Sequence, residues 1–217
     1  MSVVFFDMDG TLVNGDTNDL SVKYYLKHNL ITDDFIRPLP DYHQRFFEGK
    51  LDIREFIAYI VKPVLPLSAD KLDEVITGIV NENILPHIRP GAKKAIDFHK
   101  KRGDTTVIVT STVDFLVKKL ALALGIDAVI AAPIKTTADG RIEGSIDGIV
   151  PYQEGKVTLI EKFIKEHKLS LDDSYAYGDS INDLPMLLLC AHRFAINPNE
   201  GLRKSPKFSI LTEDNWD

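Results

Sequence analysis

With a single cysteine, Cys190, no disulfide can form within the chain. Its neighbours Leu187, Leu188, Leu189 and Ala191 make it an apolar filler, since no helix start or basic cluster stands nearby to lower its pKa. Long hydrophobic runs are also missing. The longest, residues 121–134, is broken by Gly125 and Asp127 and falls short of the roughly 20 residues that a membrane span needs. The opening Met-Ser-Val-Val-Phe-Phe-Asp has neither the basic start nor the extended apolar stretch of a secretory signal. Nor is there a basic run of the kind that grips nucleic acid: 26 Lys and Arg stand against 32 Asp and Glu, a net charge of −6. These absences predict a soluble, cytoplasmic chain with no membrane or nucleic-acid partner. An anionic ligand would need a local site that holds it against the overall field.

What is present is ordinary for a globular protein, with 44% apolar and 27% charged residues in a chain of 217. Such a length can bury roughly 70% of its unfolded surface without help from disulfides or metal. Apolar, strand-like runs recur at 3–6, 107–110, 128–134, 175–178 and 193–196, separated by helical patterns at 89–103, 112–124 and 153–167. This alternation predicts an α/β fold with a doubly wound, mainly parallel sheet. Residues 15–87 break the rhythm. They show four amphipathic helical candidates, marked by Leu20, Tyr24 and Leu26, by Phe46 and Phe47, by Ile53, Phe56, Ile57 and Ile60, and by Leu72, Val75, Ile76 and Ile79. The pattern predicts a sheet domain of residues 1–14 and 88–217 carrying a helical insert of residues 15–87, with hinges near 14–17 and 86–90. A smaller interruption at 135–150 contains the hairpin turn signal Ala138-Asp139-Gly140-Arg141.

Chemistry concentrates at the strand ends. Asp7-Met8-Asp9-Gly10-Thr11 directly follows the first strand, and close carboxylates repel unless a cation or a shared proton compensates. Alone, the motif reads equally well as an acidic turn capping the next helix. An EF-hand loop is a poor alternative, because Gly10 falls three positions after Asp7 rather than five. A second acidic pair, Asp179 and Asp183 in Tyr177-Gly178-Asp179-Ser180-Ile181-Asn182-Asp183, follows another strand. Acidic pairs at the carboxyl ends of parallel strands lie where open α/β sheets bind ligands, and oxygen-only donors suit Mg²⁺. Thr110 and Ser111 supply hydroxyls at a third strand end, and Lys156 is the candidate cation. Singly, Thr110 is a strand-end cap and Lys156 a surface charge; their order along the chain is what carries meaning.

That order resembles the haloacid dehalogenase superfamily of phosphatases, and its size and insert resemble the branch containing phosphoserine phosphatase. The resemblance implies a mobile helical cap over the active site and a Mg²⁺-dependent phosphomonoesterase acting through an aspartyl phosphate. It implies Asp7 as nucleophile, Asp9 as acid and base, and Thr110, Ser111, Lys156 and Asn182 at the phosphate. Mg²⁺ would be held by Asp7, the Asp9 carbonyl and Asp179, with Asp183 orienting Lys156 or a metal-bound water. The dehalogenase branch lacks the second acid, so Asp9 favours phosphate esters. The branch's Glu-Gly-Lys-Leu stretch recurs at residues 48–51, but counting onward puts Ile60 where the family has a carboxylate-binding arginine, and Ser111 and Thr112 replace a glycine pair. The acidic residue facing the substrate amine corresponds to Asp16, which reads equally as a helix N-cap. These departures turn the expectation from phosphoserine toward a small phosphomonoester with a cationic group and no carboxylate, such as the amino-alcohol phosphate histidinol phosphate. Arg45 and Arg54 are further candidates for substrate contacts, whereas Tyr42, Phe46, Phe47 and Tyr59 are expected in the core of the cap. A phosphoserine phosphatase, a phosphotransferase or mutase with the same nucleophile, and a receiver-like phospho-acceptor domain are the alternatives.

Overall fold

A computed structural model describes residues 2–47 and 50–217, without the side chains of Phe46 and Phe47. The Glu48-Gly49 half of the stretch noted above, and the apolar contacts expected of Phe46 and Phe47, lie outside the described residues. Strand β1 (Val3–Phe6) is followed by helices α1 (Thr17–Lys27), α2 (Asp33–Ile36), α3 (Leu39–Phe47), α4 (Ile53–Ile60) and α5 (Ala69–Gly78). Then come α6 (Pro90–Arg102), β2 (Thr105–Val113), α7 (Asp114–Leu124), β3 (Ala128–Ala132) and a hairpin of β4 (Ile134–Thr136) and β5 (Ile142–Ile146). The chain closes with α8 (Glu154–His167), β6 (Tyr175–Gly178), α9 (Leu184–Leu189), β7 (His192–Ile196), α10 (Glu200–Arg203) and β8 (Thr212–Asp214). Six strands form one sheet in the order β3-β2-β1-β6-β7-β8, all pairs parallel.

Alternation along β1 explains its unbroken apolar run. Val4 and Phe6 enter one buried cluster while Val3 and Phe5 enter another, so both sheet faces are covered and every residue is apolar. Full burial of each Phe contributes about 1.5–3 kcal/mol. The first cluster continues without a break into Ile57, Ile60, Ile76 and Ile79, which seats the helices of residues 17–84 on that side of the sheet. The two chain crossings into this helical region run side by side: Asn14 N donates to the His87 carbonyl at 2.8 Å and Arg89 N to the Leu12 carbonyl at 3.0 Å. Among the described residues no helix is long and apolar enough to cross a membrane.

Several expected boundaries move. Strand β2 extends to Val113, so Thr112 lies within a strand and does not start α7, which begins at Asp114. Strand β3 stops at Ala132, and Ile134 belongs to the hairpin. Leu26, placed on an apolar face by its spacing, is exposed. Strand β8 was not expected, because Thr212, Glu213 and Asp214 carry no apolar signal; their backbone pairs with the sheet edge while their side chains face solvent.

Candidate active site

The switch point of the sheet lies between β1 and β6, where successive strands are laid down in opposite directions. The segments following these strands carry Asp7 and Asp9 on one side and Asp179 and Asp183 on the other. Asp7 is still anchored to the sheet through its N–H to the Tyr177 carbonyl at 2.9 Å. Gly10 then turns at φ 86°, and a Cβ there would come within 2.5 Å of the Asp179 carboxylate, so the close approach of the two loops requires glycine.

Lys156 enters from the first turn of α8 and is buried. Its ammonium donates to Asp7 Oδ1 at 2.6 Å, to Asp183 Oδ1 at 2.5 Å and to the Val109 carbonyl at 3.1 Å. All three N–H donors are thereby used, which is the condition under which a buried charge is tolerated. It therefore presents positive charge to the site rather than a free N–H. Asp183 Oδ2 accepts from the Ser180 hydroxyl at 2.8 Å and from the backbone N–H of Ser180 and Asp179 at 3.0 and 3.2 Å, which fixes the loop between them.

Asp9 turns away from this cluster. Its Oδ1 accepts from Thr17 N at 2.6 Å and its Oδ2 from the Thr112 hydroxyl at 2.9 Å. Thr112 and Thr17 are site residues that sequence reasoning missed. The replaced glycine pair was the available signal for Thr112, but the strand had been ended too early. A register shift in β2 between Val109 and Val113 re-aims this stretch, and Thr110 and Ser111 both reach the cavity.

Electrostatics follow from burial. Burial, with Asp183 alongside, pushes Asp7 up to about 8 in spite of Lys156. Burial, Asp183 and Asp7 push Asp179 up to about 9. Burial would raise Asp183 too, but Lys156 and the Ser180 hydrogen bonds hold it below the usual carboxylate range. Burial raises Asp9, opposed by Thr17 and Thr112. Asp7, Asp179 and Asp183 each offer an oxygen, all within 4.8 Å of one another. This all-oxygen, charge-crowded donor set fits a hard dication such as Mg²⁺.

The cavity over these groups measures about 220 Å³ and is lined by Asp7, Asp9, Thr110, Ser111, Lys156, Asn182 and Asp183 at its base. Asp16 and Asp19 from the start of α1, together with Tyr42, His43, Phe56 and Tyr152, line the remainder. Asp16 is the N-cap of α1, its Oδ1 accepting from Asn18 N at 2.7 Å, and it also faces the cavity, so the two readings of this residue coexist. The surrounding protein, Asp9 and Asp19 raise its carboxyl above the ordinary value. Tyr42 lies in the buried apolar cluster, as expected of the insert's aromatics, and also lines the cavity; Tyr59 packs against the same cluster and donates to the Phe35 carbonyl at 2.6 Å. Arg45 pairs with Glu55 at 3.0 Å and Arg54 donates to the Gly148 carbonyl at 2.5 Å; neither is among the lining residues. Ile60 is buried in the apolar cluster. Cys190 is likewise buried, and burial pushes its thiol up to about 11.

A parallel sheet with this constellation at its switch point defines a class, and the comparisons agree with it. The haloacid dehalogenase-like hydrolase family model matches residues 4–188, and the chain belongs to that family of enzymes. A histidinol-phosphatase of Neisseria meningitidis is 30% identical over 210 residues, covering 95% of each chain. A phosphoserine phosphatase of Methanocaldococcus jannaschii is 27% identical over 212 residues, covering 98% of this chain and 93% of its own. A crystal structure of a protein of unknown function from Bordetella pertussis superposes with a TM-score of 0.90 at 25% identity, over 100% of this chain and 99% of that one. A substrate-bound phosphoserine phosphatase shares the fold at a TM-score of 0.65 and 24% identity, over 92% and 87%.

Proposed function

We propose that the chain is a phosphomonoesterase that forms an aspartyl phosphate on Asp7, with a small amino-alcohol phosphate, such as histidinol phosphate, as substrate. Asp7 attacks phosphorus, and the bond to the substrate oxygen breaks as Asp9 protonates the departing alkoxide. Asp9 then takes a proton from the water that hydrolyses the acyl phosphate. Thr110, Ser111 and Asn182 bind phosphoryl oxygens, while the charge of Lys156 offsets that of the incoming phosphate. Asp7, the Asp9 carbonyl and Asp179, with Asp183 beside them, would hold Mg²⁺, which would supply charge compensation between carboxylate and phosphate. Residues 15–87 act as the cap over a core of residues 1–14 and 88–217.

One observation carries the reading: Asp7 and Asp9 line a single cavity, yet Asp7 is held by Lys156 while Asp9 is held separately by Thr17 and Thr112. Two carboxylates in different environments can play two roles. The substrate class is supported by the mouth of the cavity, where Asp16 and Asp19 offer carboxylates. Among the described lining residues, Lys156 is the one permanent cation, so no guanidinium awaits a substrate carboxylate. The name of the Neisseria relative points the same way. A Mg²⁺-dependent phosphate-release screen over amino-alcohol, amino-acid, sugar and lipid-headgroup phosphates tests it, with Asp7→Asn as blank. Amino-alcohol phosphates are expected to give the highest kcat/KM. Equal release by Asp7→Asn would remove the nucleophile from the scheme.

A further inference from the structure

The turn that opens α8 is built on an unfavourable residue. Gly155 N donates to the Tyr152 carbonyl at 2.9 Å, which closes a β-turn over residues 152–155. Its second residue, Gln153, has φ 50° and ψ −121°. These are type II′ angles, and that position favours glycine because a side chain there is strained. Strain of this kind persists only where the surroundings over-determine it, and it concentrates at functional sites.

The Gln153 side chain has an evident use. Its Nε2 donates to Asn182 Oδ1 at 3.1 Å. Tyr152 and Asn182 both line the cavity. The Gln153 carbonyl accepts from Lys156 N at 3.0 Å, so the same residue sets the first turn of the helix from which Lys156 reaches Asp7. Gln153 thus joins the segment before Lys156 to the loop between Asp179 and Asp183, two parts of the site that the sequence places far apart.

We infer that Gln153 is a positioning residue: its amide clasps Asn182 beside the cavity while its strained backbone directs Lys156 inward. The activity arm of this inference rests on the phosphatase reading; the structural arm does not. Gln153→Gly is the informative variant, because it keeps the turn, relaxes the backbone and deletes the clasp. It should melt close to the wild type, relieved strain offsetting the lost hydrogen bond, and lose about tenfold in kcat, the effect of one positioning hydrogen bond. A merely structural role would move stability and activity together. Asn182→Ala should also lose activity, and the double variant should fall no further than Asn182→Ala alone. Unchanged kcat in Gln153→Gly or additive losses in the double variant overturns the inference. If the wild type releases no phosphate from any ester in the screen, the phosphatase reading fails instead. The clasp is then judged by amide exchange of residues 179–183, which Gln153→Gly should accelerate; unaltered exchange refutes it.

Discussion

Replacing Thr112 with valine keeps the shape of a buried side chain and deletes one hydroxyl, the donor to Asp9 Oδ2 at 2.9 Å. A hydrogen bond to a charged group contributes about 1.5–3 kcal/mol. If all of it were expressed in the transition state, kcat would fall by about 10- to 150-fold. Thr17 N still holds Oδ1 at 2.6 Å, so the carboxylate keeps one anchor and the lower end, about tenfold, is expected. The pH profile carries a second signature. The Thr112 hydrogen bond opposes the rise that burial imposes on Asp9, so its removal lets the Asp9 pKa climb further. The limb of the kcat/KM profile governed by Asp9 should therefore move to higher pH. Steady-state phosphate release with Mg²⁺ across pH, alongside a thermal melt, reads both effects; the melt should drop by about 3–6 °C for the lower-end loss. A folded Thr112→Val enzyme with wild-type kcat and an unmoved limb would show that Asp9 does not act from the position described.

Asp16→Asn retains a good N-cap residue while removing its charge, so the melting temperature should hardly change. The preference for cationic over neutral phosphomonoesters should fall; an unchanged ratio of kcat/KM values refutes the assignment of Asp16 to the substrate cation. Lys156→Met strands Asp7 and Asp183 in a buried site, which costs about 3–5 kcal/mol. Its melting temperature should fall by about 6–20 °C. His99 is fully buried, with Nδ1 beside Asp104 at 2.7 Å and Nε2 beside the Tyr177 hydroxyl at 2.9 Å. Burial holds its pKa below 6.5 against the pull of Asp104. The stability it contributes is present above about pH 6.5 and lost as pH falls through its depressed value. Urea midpoints should decline over that acidic range in the wild type and less steeply in His99→Gln.

The sheet and its site motifs were legible because each depends on local pattern. Val3 to Phe6 is apolar at every position since both faces of β1 are covered, and the acidic pairs stand directly after strands. Legibility failed where pairing or tertiary contact decided the outcome. Strand β8 forms through backbone bonds to Phe194, Ala195 and Ile196 with no apolar side chain to announce it. The helical pattern of residues 112–124 takes in Thr112 and Val113, whereas parallel pairing of Val113 with Ala132 keeps the strand going. The role of Tyr42 at the cavity also depends on how α3 lies against the neighbouring elements, which spacing alone does not encode.

The central strand β1 precedes both of its partner strands in the chain. Its partners are residues 105–108 on one side and 175–177 on the other. At about 5–20 residues per second, a ribosome takes roughly 5–20 s to deliver the nearer partner. Throughout that interval Val-Val-Phe-Phe emerges with open edges, a segment suited to associating with other nascent chains. The same placement that sets Asp7 at the heart of the sheet leaves β1 waiting for both neighbours during synthesis, and expression yield should respond to chaperone supply.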